Sequence, residues 1–181
     1  MTALLFPDNT VLVNFAHINR VDLLARIVGT NGRWCATVAD ECARSAREPG
    51  LEPLNDVGDI FGKPLFPETE AEHSDTRMLR LELAMPGDSP HQHLGEAETL
   101  AIMTRRGLTA FFVTDDRGAA RLATRFGVRV YTTWDLLRLI HRVKLVDLDT
   151  LWGYVQTLHG RERGSPPGVQ NRRSFDVWVD A

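Results

Sequence analysis

The stretch TAFFVTDDRGAARLATRFGVRVYTT, residues 109–133, decides the fold class of this chain. TAFFVT (109–114) is a short apolar run typical of a buried strand, and DRGAARLATRFG (116–127) has helical spacing that ends at a glycine. VRVYTT (128–133) is a further β-branched run. A strand, a helix and a second strand in this order favour a parallel sheet with helices on both faces.

The segments before this stretch continue the alternation. VLVNF (11–15) is predicted to be a strand that feeds a helix over INRVDLLARIV, which stops at Gly29. Residues 50–67 are rich in Pro and Gly and are predicted to be a loop with room for one short helix. Helix-forming residues predict further helices in ATVADECARSARE, in residues 68–85, in EAETLAIMTRRG and in WDLLRLIHRVKLV.

The composition changes near the C-terminus. DLDTLWGYVQTLHG is predicted to be the last helix, and from Arg161 the chain is rich in Arg, Gly, Pro and Ser, which is typical of a poorly ordered basic tail. A length of 181 residues with 43% hydrophobic content fits one globular domain. We therefore expect an α/β domain over residues 1–145, a C-terminal helix over 146–160 and a flexible tail over 161–181.

Composition also limits the location and the partners. No apolar run reaches the roughly 20 residues needed to cross a bilayer, and MTALLFPDNT lacks the features of a secretory signal, so we expect a cytoplasmic protein with no membrane partner. Cys35 and Cys42 are too few for a disulfide framework and are expected to be reduced packing residues. The net charge of -3 gives no overall basic surface, so nucleic-acid binding would depend on local patches.

Acidic residues lie where predicted strands end or helices begin, which is where parallel sheets bind ligands. Such acids repel one another, so a cluster of them implies a compensating cation. Mg²⁺ and Mn²⁺ prefer oxygen ligands, and either ion can lower the pKa of a bound water and neutralise a phosphodiester. The positions therefore indicate a metal-dependent phosphodiesterase that uses Asp8 beside the first predicted strand, Glu41 in ADEC, Glu96 and Glu98 in GEAE, and Asp115 and Asp116 after FFVT.

Each acid also has a purely structural explanation. An Asp after a strand is often a helix N-cap, which explains Asp115 or Asp116 as well as metal binding does. Glu96 and Glu98 are favoured by the dipole of their own helix, and residues two apart share no helix face unless Glu96 lies at the frayed start. Glu41 alone is most simply a solvated side chain. Spacing alone leaves these alternatives open.

In their order, DNTVLVNF, VADE, HLGEAETLAI and FFVTDDRGAARLA resemble the motifs of the PIN-domain nucleases, many of which are toxins of toxin-antitoxin pairs; the resemblance spans residues 5–140. It implies a PIN-like doubly wound parallel sheet, bound Mg²⁺ or Mn²⁺, and cleavage of single-stranded RNA by an activated water. The residues that match the four acidic motifs are Asp8 with Thr10, Glu41, Glu96, and Asp116 in a Thr-x-Asp pattern.

Two features depart from the pattern of many PIN toxins. The third motif is GEAE rather than Asp followed by Ala, as in a PIN subgroup and in the related flap endonucleases, where both glutamates can serve. The doubled Asp115-Asp116 leaves the fourth ligand ambiguous. Glu98 and Asp115 are therefore predicted to be auxiliary metal ligands. The extra length relative to many such toxins lies in residues 50–90 and in the tail.

Polar and basic neighbours are predicted to support the acids. Asn14 and Thr10 are expected beside Asp8, with Asn14 hydrogen-bonded to it, and Thr114 is expected to orient Asp116. Arg117 is predicted to hold a phosphate. The tail adds four arginines with the same capacity, Arg161, Arg163, Arg172 and Arg173. Its two aromatic residues, Phe175 and Trp178, are expected to be exposed to a partner. The loop histidines His91 and His93 are not assigned to the metal, because hard ions disfavour histidine.

The sequence thus predicts a metal-dependent endoribonuclease, the toxin of a toxin-antitoxin pair. Its expected partners are RNA, a small antitoxin protein and a second copy of the chain. One alternative is a catalytically inactive PIN-like binding module. Another is a phosphoryl-transfer domain of receiver or phosphatase type, which places its acidic pair after the first strand and a lysine late; here the pair comes late and Lys144 follows no strand.

Overall fold

The sheet of this protein has three parallel strands. The structure is a computed structural model that describes residues 3–181. Its strands are β1 (Leu4–Pro7), β2 (Ala110–Val113) and β3 (Arg129–Tyr131), in the order β1-β2-β3. Pro7 lies opposite Val113, and Val113 lies opposite Tyr131, so the three strands end together at one edge.

Helices cover both faces of this sheet, because successive strand residues point to opposite sides. Phe112 belongs to a hydrophobic cluster on one face, whereas its neighbour Val113 belongs to a cluster on the other. The described residues form ten helices: α1 (Asn9–His17), α2 (Val21–Val28), α3 (Ala36–Ser45), α4 (Val57–Phe61), α5 (Glu70–Leu83), α6 (Leu94–Arg105), α7 (Arg117–Arg125), α8 (Thr133–Arg142), α9 (Leu148–Gly160) and α10 (Arg172–Asp180). The prediction of an α/β fold with a helix-covered parallel sheet is confirmed.

The prediction of a strand over VLVNF (11–15) is wrong. These residues form the middle of α1 and are buried, and the first strand lies just before them at Leu4–Pro7. A short apolar run without a polar face looks the same in a buried strand and in a buried helix. Asp8, the N-cap of α1, marks the change from strand to helix.

The prediction of a poorly ordered tail is wrong for residues 172–180. They form α10, which begins with a capping box between Asn171 and Ser174. Phe175 is not exposed but fully buried, with its ring centroid 4.9 Å from that of Trp152 in α9. This contact packs α10 against α9. The last helix is therefore α10 and not, as had been predicted, α9.

The region between Gly50 and His93 builds a support for α6. Helix α4 is the short helix for which residues 50–67 had room, and α5 begins with a capping box formed by Thr69 and Glu72. Glu72 is buried, and Arg106, just beyond α6, donates two hydrogen bonds to it, at 2.7 and 3.2 Å. The Arg106 guanidinium lowers the pKa of the Glu72 carboxyl to about 2. This ion pair joins α5 to α6, the helix that carries Glu96 and Glu98.

Within residues 3–181, no helix has the length and apolar character that crossing a membrane requires.

Candidate metal centre

The carboxyl ends of the three strands define the edge of the sheet where the predicted acids lie. Beyond β1, the backbone N–H of Asp8 donates to the carbonyl of Val113 in β2 at 2.8 Å. Beyond β2, the N–H of Thr114 donates to the carbonyl of Tyr131 in β3 at 3.0 Å. The first residues past these strands therefore lie side by side, at the position where parallel α/β sheets bind ligands.

Asp8 is the most unusual of the acids. Its side chain is buried, with 3% of the residue exposed, and its Oδ2 has no hydrogen-bond partner among residues 3–181. Burial, followed by the negative charges of Glu96 and Glu41, raises the pKa of the Asp8 carboxyl to about 8, although Thr10 and the backbone of Asn9 act to lower it. A buried carboxylate without donors is destabilising unless it binds a proton or a cation.

Glu41 and Glu96 come from two helices that pack against each other. A Cβ atom added to Gly95 would lie 3.1 Å from Glu41 Oε2, so the absence of a side chain there lets the Glu41 carboxylate approach α6 beside Glu96. Burial, followed by the charge of Glu96, raises the pKa of Glu41 to about 7. Three of the four predicted acids, Asp8, Glu41 and Glu96, are therefore close enough for their charges to interact.

Asp116 lies at the same edge but caps a helix. Its Oδ1 accepts a hydrogen bond from the N–H of Ala119 at 2.6 Å, which makes Asp116 the N-cap of α7. Its own N–H donates to Thr114 Oγ1 at 3.1 Å, so the predicted contact with Thr114 is present, through the backbone. One carboxylate oxygen of Asp116 thus has a structural role. The next residue, Arg117, which was predicted to hold a phosphate, is exposed.

Asp115 and Glu98, the predicted auxiliary ligands, both bind the first turns of other helices. Asp115 accepts hydrogen bonds from the N–H of Thr133 at 2.9 Å and from the Thr133 hydroxyl at 2.5 Å, at the start of α8. Glu98 accepts hydrogen bonds from the N–H and from the hydroxyl of Thr37, both at 2.9 Å, in the first turn of α3. Each carboxylate therefore has donors on both oxygens and stabilises a helix N-terminus.

The prediction that Asn14 orients Asp8 is wrong. Asn14 is buried, and its Nδ2 donates to Asp115 Oδ2 at 2.9 Å and to Thr133 Oγ1 at 3.0 Å. Its Oδ1 accepts a hydrogen bond from Arg163 at 2.7 Å. Asn14 thus supports Asp115, while Thr10 is the residue of the pair that acts to lower the pKa of Asp8.

His93, which the sequence analysis left unassigned, is a neighbour of the centre. It precedes α6 in the left-handed conformation, with Nδ1 3.6 Å from Glu96 Oε1 and Nε2 3.3 Å from Asp88 Oδ2. Its Nδ1 is buried and has no hydrogen-bond partner in the described part of the chain. An HxH sequence in a Pro-flanked loop is typical of solvated residues. The sequence signal that could have linked His93 to the acids was its position two residues before GEAE.

The donor set suits a hard divalent cation, although the side chains are not arranged as a finished coordination sphere. No group of three or more His, Cys, Asp or Glu residues within 3–181 has the arrangement needed to hold a metal ion. The donors that meet here are carboxylate oxygens, the ligands that Mg²⁺ and Mn²⁺ prefer. Such a cation would bind Asp8 Oδ2, which has no hydrogen-bond partner among residues 3–181.

The chain matches no family model, no curated protein and no solved structure. The resemblance of its motifs to the PIN-domain nucleases therefore stays a prediction. The chemical function of this edge of the sheet must therefore be inferred from its own residues.

Proposed function

We propose that this protein is a metal-dependent endoribonuclease of PIN type. In this proposal Asp8, Glu41 and Glu96 hold Mg²⁺ or Mn²⁺, and Asp116 completes the ligand set. The observation that carries it is the buried Asp8 carboxylate, whose Oδ2 lacks a donor among residues 3–181 and whose pKa is raised by burial and by two neighbouring acids. An acid needed only for folding would have donors on both oxygens, as Asp115 and Glu98 do.

The residues of the edge have distinct roles in this proposal. Asp8 is a direct ligand because its free oxygen is fixed at the end of β1. Glu41 and Glu96 bring negative charge from α3 and α6, and a cation would relieve their mutual repulsion. Asp116 keeps Oδ1 on Ala119 and offers its other oxygen. When bound, the ion would neutralise charge on the phosphodiester and lower the pKa of an attacking water.

The biological setting that we propose is that of a toxin held inactive by a small antitoxin protein. The order of the acidic motifs, DNT, VADE, GEAE and TDD, supports it. A second copy of the chain is proposed as a further partner on the same ground.

Cleavage of a labelled single-stranded RNA, with Mg²⁺ or Mn²⁺ and with EDTA as a control, tests the proposal. We expect the intact protein to cut only with metal, and Asp8→Asn and Asp116→Asn to lower the rate by about 100-fold or more, since each removes a ligand charge. Circular dichroism must show that both variants remain folded. Arg26→Ala, on the surface of α2, serves as a matched surface control and should cut normally.

A folded protein that neither cuts RNA nor binds Mn²⁺ in calorimetry would instead be an inactive PIN-like binding module. The receiver- or phosphatase-type alternative is weaker, because it needs an acidic pair available for phosphoryl chemistry. Here Asp115 has donors on both oxygens and Asp116 has one on Oδ1.

A further inference from the structure

One arginine from the C-terminal part of the chain reaches α1, the helix that begins at Asp8. Arg163 lies between α9 and α10, is half-buried, and donates from Nε to Asn14 Oδ1 at 2.7 Å. Its Nη2 donates to the carbonyl of Thr10 at 3.4 Å. Thr10 and Asn14 are four residues apart and therefore lie on one side of α1. The guanidinium thus lies beside the backbone of Thr10, two residues after Asp8, the N-cap of α1.

A rigid network holds this guanidinium in place. Asn14, which is 1% exposed, is itself fixed by Asp115 and Thr133 on its other side. Arg163 uses Nε and Nη2 in these contacts, and its Nη1 makes no hydrogen bond with a described residue. A guanidinium has five N–H donors in a planar fork that matches the oxygens of a phosphate. Arg163 therefore keeps donors for a ligand.

The other arginines of this region are placed differently. Arg172 is paired with Asp149 at 2.7 Å and with Asp176 at 3.0 Å. Arg161 is exposed, and its side chain makes no hydrogen bond within residues 3–181. Of these three side chains, only that of Arg163 hydrogen-bonds to α1, the helix that Asp8 caps, in the described part of the chain. A net charge of -3 and three clustered carboxylates repel a polyanion, so a fixed cation on α1, the helix that Asp8 caps, has a clear electrostatic use.

We propose that Arg163 binds a backbone phosphate of single-stranded RNA and holds the strand against the Asp8–Glu41–Glu96 centre. This inference rests on the proposed nuclease function and specifies how its substrate is held. Arg163 is a substrate-positioning residue and not a metal ligand. The C-terminal segment, from the end of α9 to α10, is thus part of the RNA-binding surface.

The salt dependence of RNA binding tests this inference. Fluorescence anisotropy of a labelled single-stranded RNA, with Ca²⁺ as the added cation, gives Kd at several salt concentrations. We expect Arg163→Ala to weaken binding about 10-fold and to make the slope of log Kd against log salt shallower by about 0.7, the value for one phosphate contact of a single strand. Arg163→Lys should keep the slope and lose part of the affinity, and Arg161→Ala should behave as the parent protein.

A second variant separates this role from a structural one. Arg163→Gln keeps a donor for Asn14 but removes the charge, so it should stay folded and still show the shallower slope. A purely structural Arg163 would instead lower Tm and leave the salt slope unchanged, which overturns the inference. So does failure of the parent protein to bind RNA.

Cleavage kinetics keep the two proposals apart. If the parent protein cuts RNA and Arg163→Gln raises KM about 10-fold with Mn²⁺ affinity unchanged, both proposals are supported. If the parent protein binds RNA with the Arg163-dependent slope but never cuts it, the nuclease proposal fails and the phosphate contact stands. If it cuts RNA and Arg163→Gln has the parent KM and slope, the nuclease proposal stands and the phosphate contact fails.

Discussion

The acids at the carboxyl edge of the sheet fall into two groups with opposite surroundings. Asp115 and Glu98 accept hydrogen bonds on both oxygens and stabilise the first turns of α8 and α3. Asp8 is buried and Glu41 half-buried, both have raised pKa values, and Asp8 Oδ2 has no donor among residues 3–181. Residues of the same chemical type thus differ because their neighbours supply donors to one group and negative charge to the other.

This difference separates acids that hold the fold together from acids that are available to a ligand. A carboxylate with several donors is stable as an anion, and its removal leaves those donors unpaired. A carboxylate among other carboxylates is stable only with a proton or a cation. The two groups should therefore respond in opposite ways to substitution, and four experiments examine that expectation.

The largest contrast is expected between Glu96 and Glu98, which lie two residues apart on α6. Glu96→Gln should weaken Mn²⁺ binding by about 100-fold, because it removes a proposed ligand charge, and cleavage should fall with it. Glu98→Gln should leave Mn²⁺ affinity unchanged and lower the free energy of unfolding by about 1 kcal/mol, because a Thr37 donor loses a charged acceptor. Calorimetry and thermal melts measure both; equal losses of metal affinity would remove the distinction.

Asp115→Ala tests the structural group on its own. It leaves donors of Asn14 and Thr133 without an acceptor, so we expect a loss of about 2 kcal/mol, or a Tm lower by about 4–8 °C. Metal affinity should remain that of the parent protein. A folded variant that has lost Mn²⁺ binding would place Asp115 among the ligands and contradict the comparison.

The pH dependence of stability tests the available group without metal. The pKa of Asp8 rises from 3.8 to about 8 on folding, and that of Glu41 from 4.5 to about 7. A carboxyl with a higher pKa in the folded state binds its proton more tightly there, so stability is greatest at low pH and falls as the pH rises through this window. The loss is at most about 1.4 kcal/mol per pH unit for each carboxyl.

Urea unfolding in EDTA between pH 5 and pH 8 measures this slope. Asp8→Asn removes one of the two titrating carboxyls, so its slope should be shallower, and added Mn²⁺ should flatten the slope of the parent protein. A parent stability that rises with pH over this range would mean that these carboxylates are stabilised as anions and belong with Asp115 and Glu98.

The smallest effect is expected from Gly95→Ala. The new Cβ would approach Glu41 Oε2 to 3.1 Å, which moves the carboxylate away from α6 and should weaken Mn²⁺ binding up to about 10-fold. Gly153→Ala in α9 is the matched control, since an added Cβ there has no atom within 4 Å. That control should gain up to about 1 kcal/mol of helix stability with unchanged metal affinity. Equal metal affinity in the two variants would mean that Gly95 does not set the position of Glu41.

The sequence predicted the elements from β2 to α9 well because local patterns determine them. Strand β2, helix α7 and strand β3 lie within the three predicted segments between residues 109 and 133. The acids were also predicted at the ends of strands and the starts of helices, and Asp8, Glu41 and Glu96 lie close enough for their charges to interact. Local periodicity and helix signals were sufficient for this level of description.

The sequence could not reveal which acids lack donors, because the donors are distant along the chain. Glu98 is bound by Thr37, 61 residues away, and Asp115 by Asn14, 101 residues away. The fully buried run in α1 hid its helical period for a related reason, since all of its faces are covered by other parts of the chain. Phe175 was expected to be exposed because its burial depends on Trp152 in another helix.

The hydrogen bonds of Asn14 become possible only one after another during synthesis of the chain. Asn14 leaves the ribosome before its three partners Asp115, Thr133 and Arg163, which follow 101, 119 and 149 residues later. Until Arg163 has emerged, Asn14 Oδ1 lacks its Arg163 donor. The nascent chain then also lacks the cation that we propose binds the RNA strand. Contacts between such distant residues form late in folding, because long loops must close first. A protein proposed to cut RNA thus lacks this contact until its ribosome has translated past Arg163.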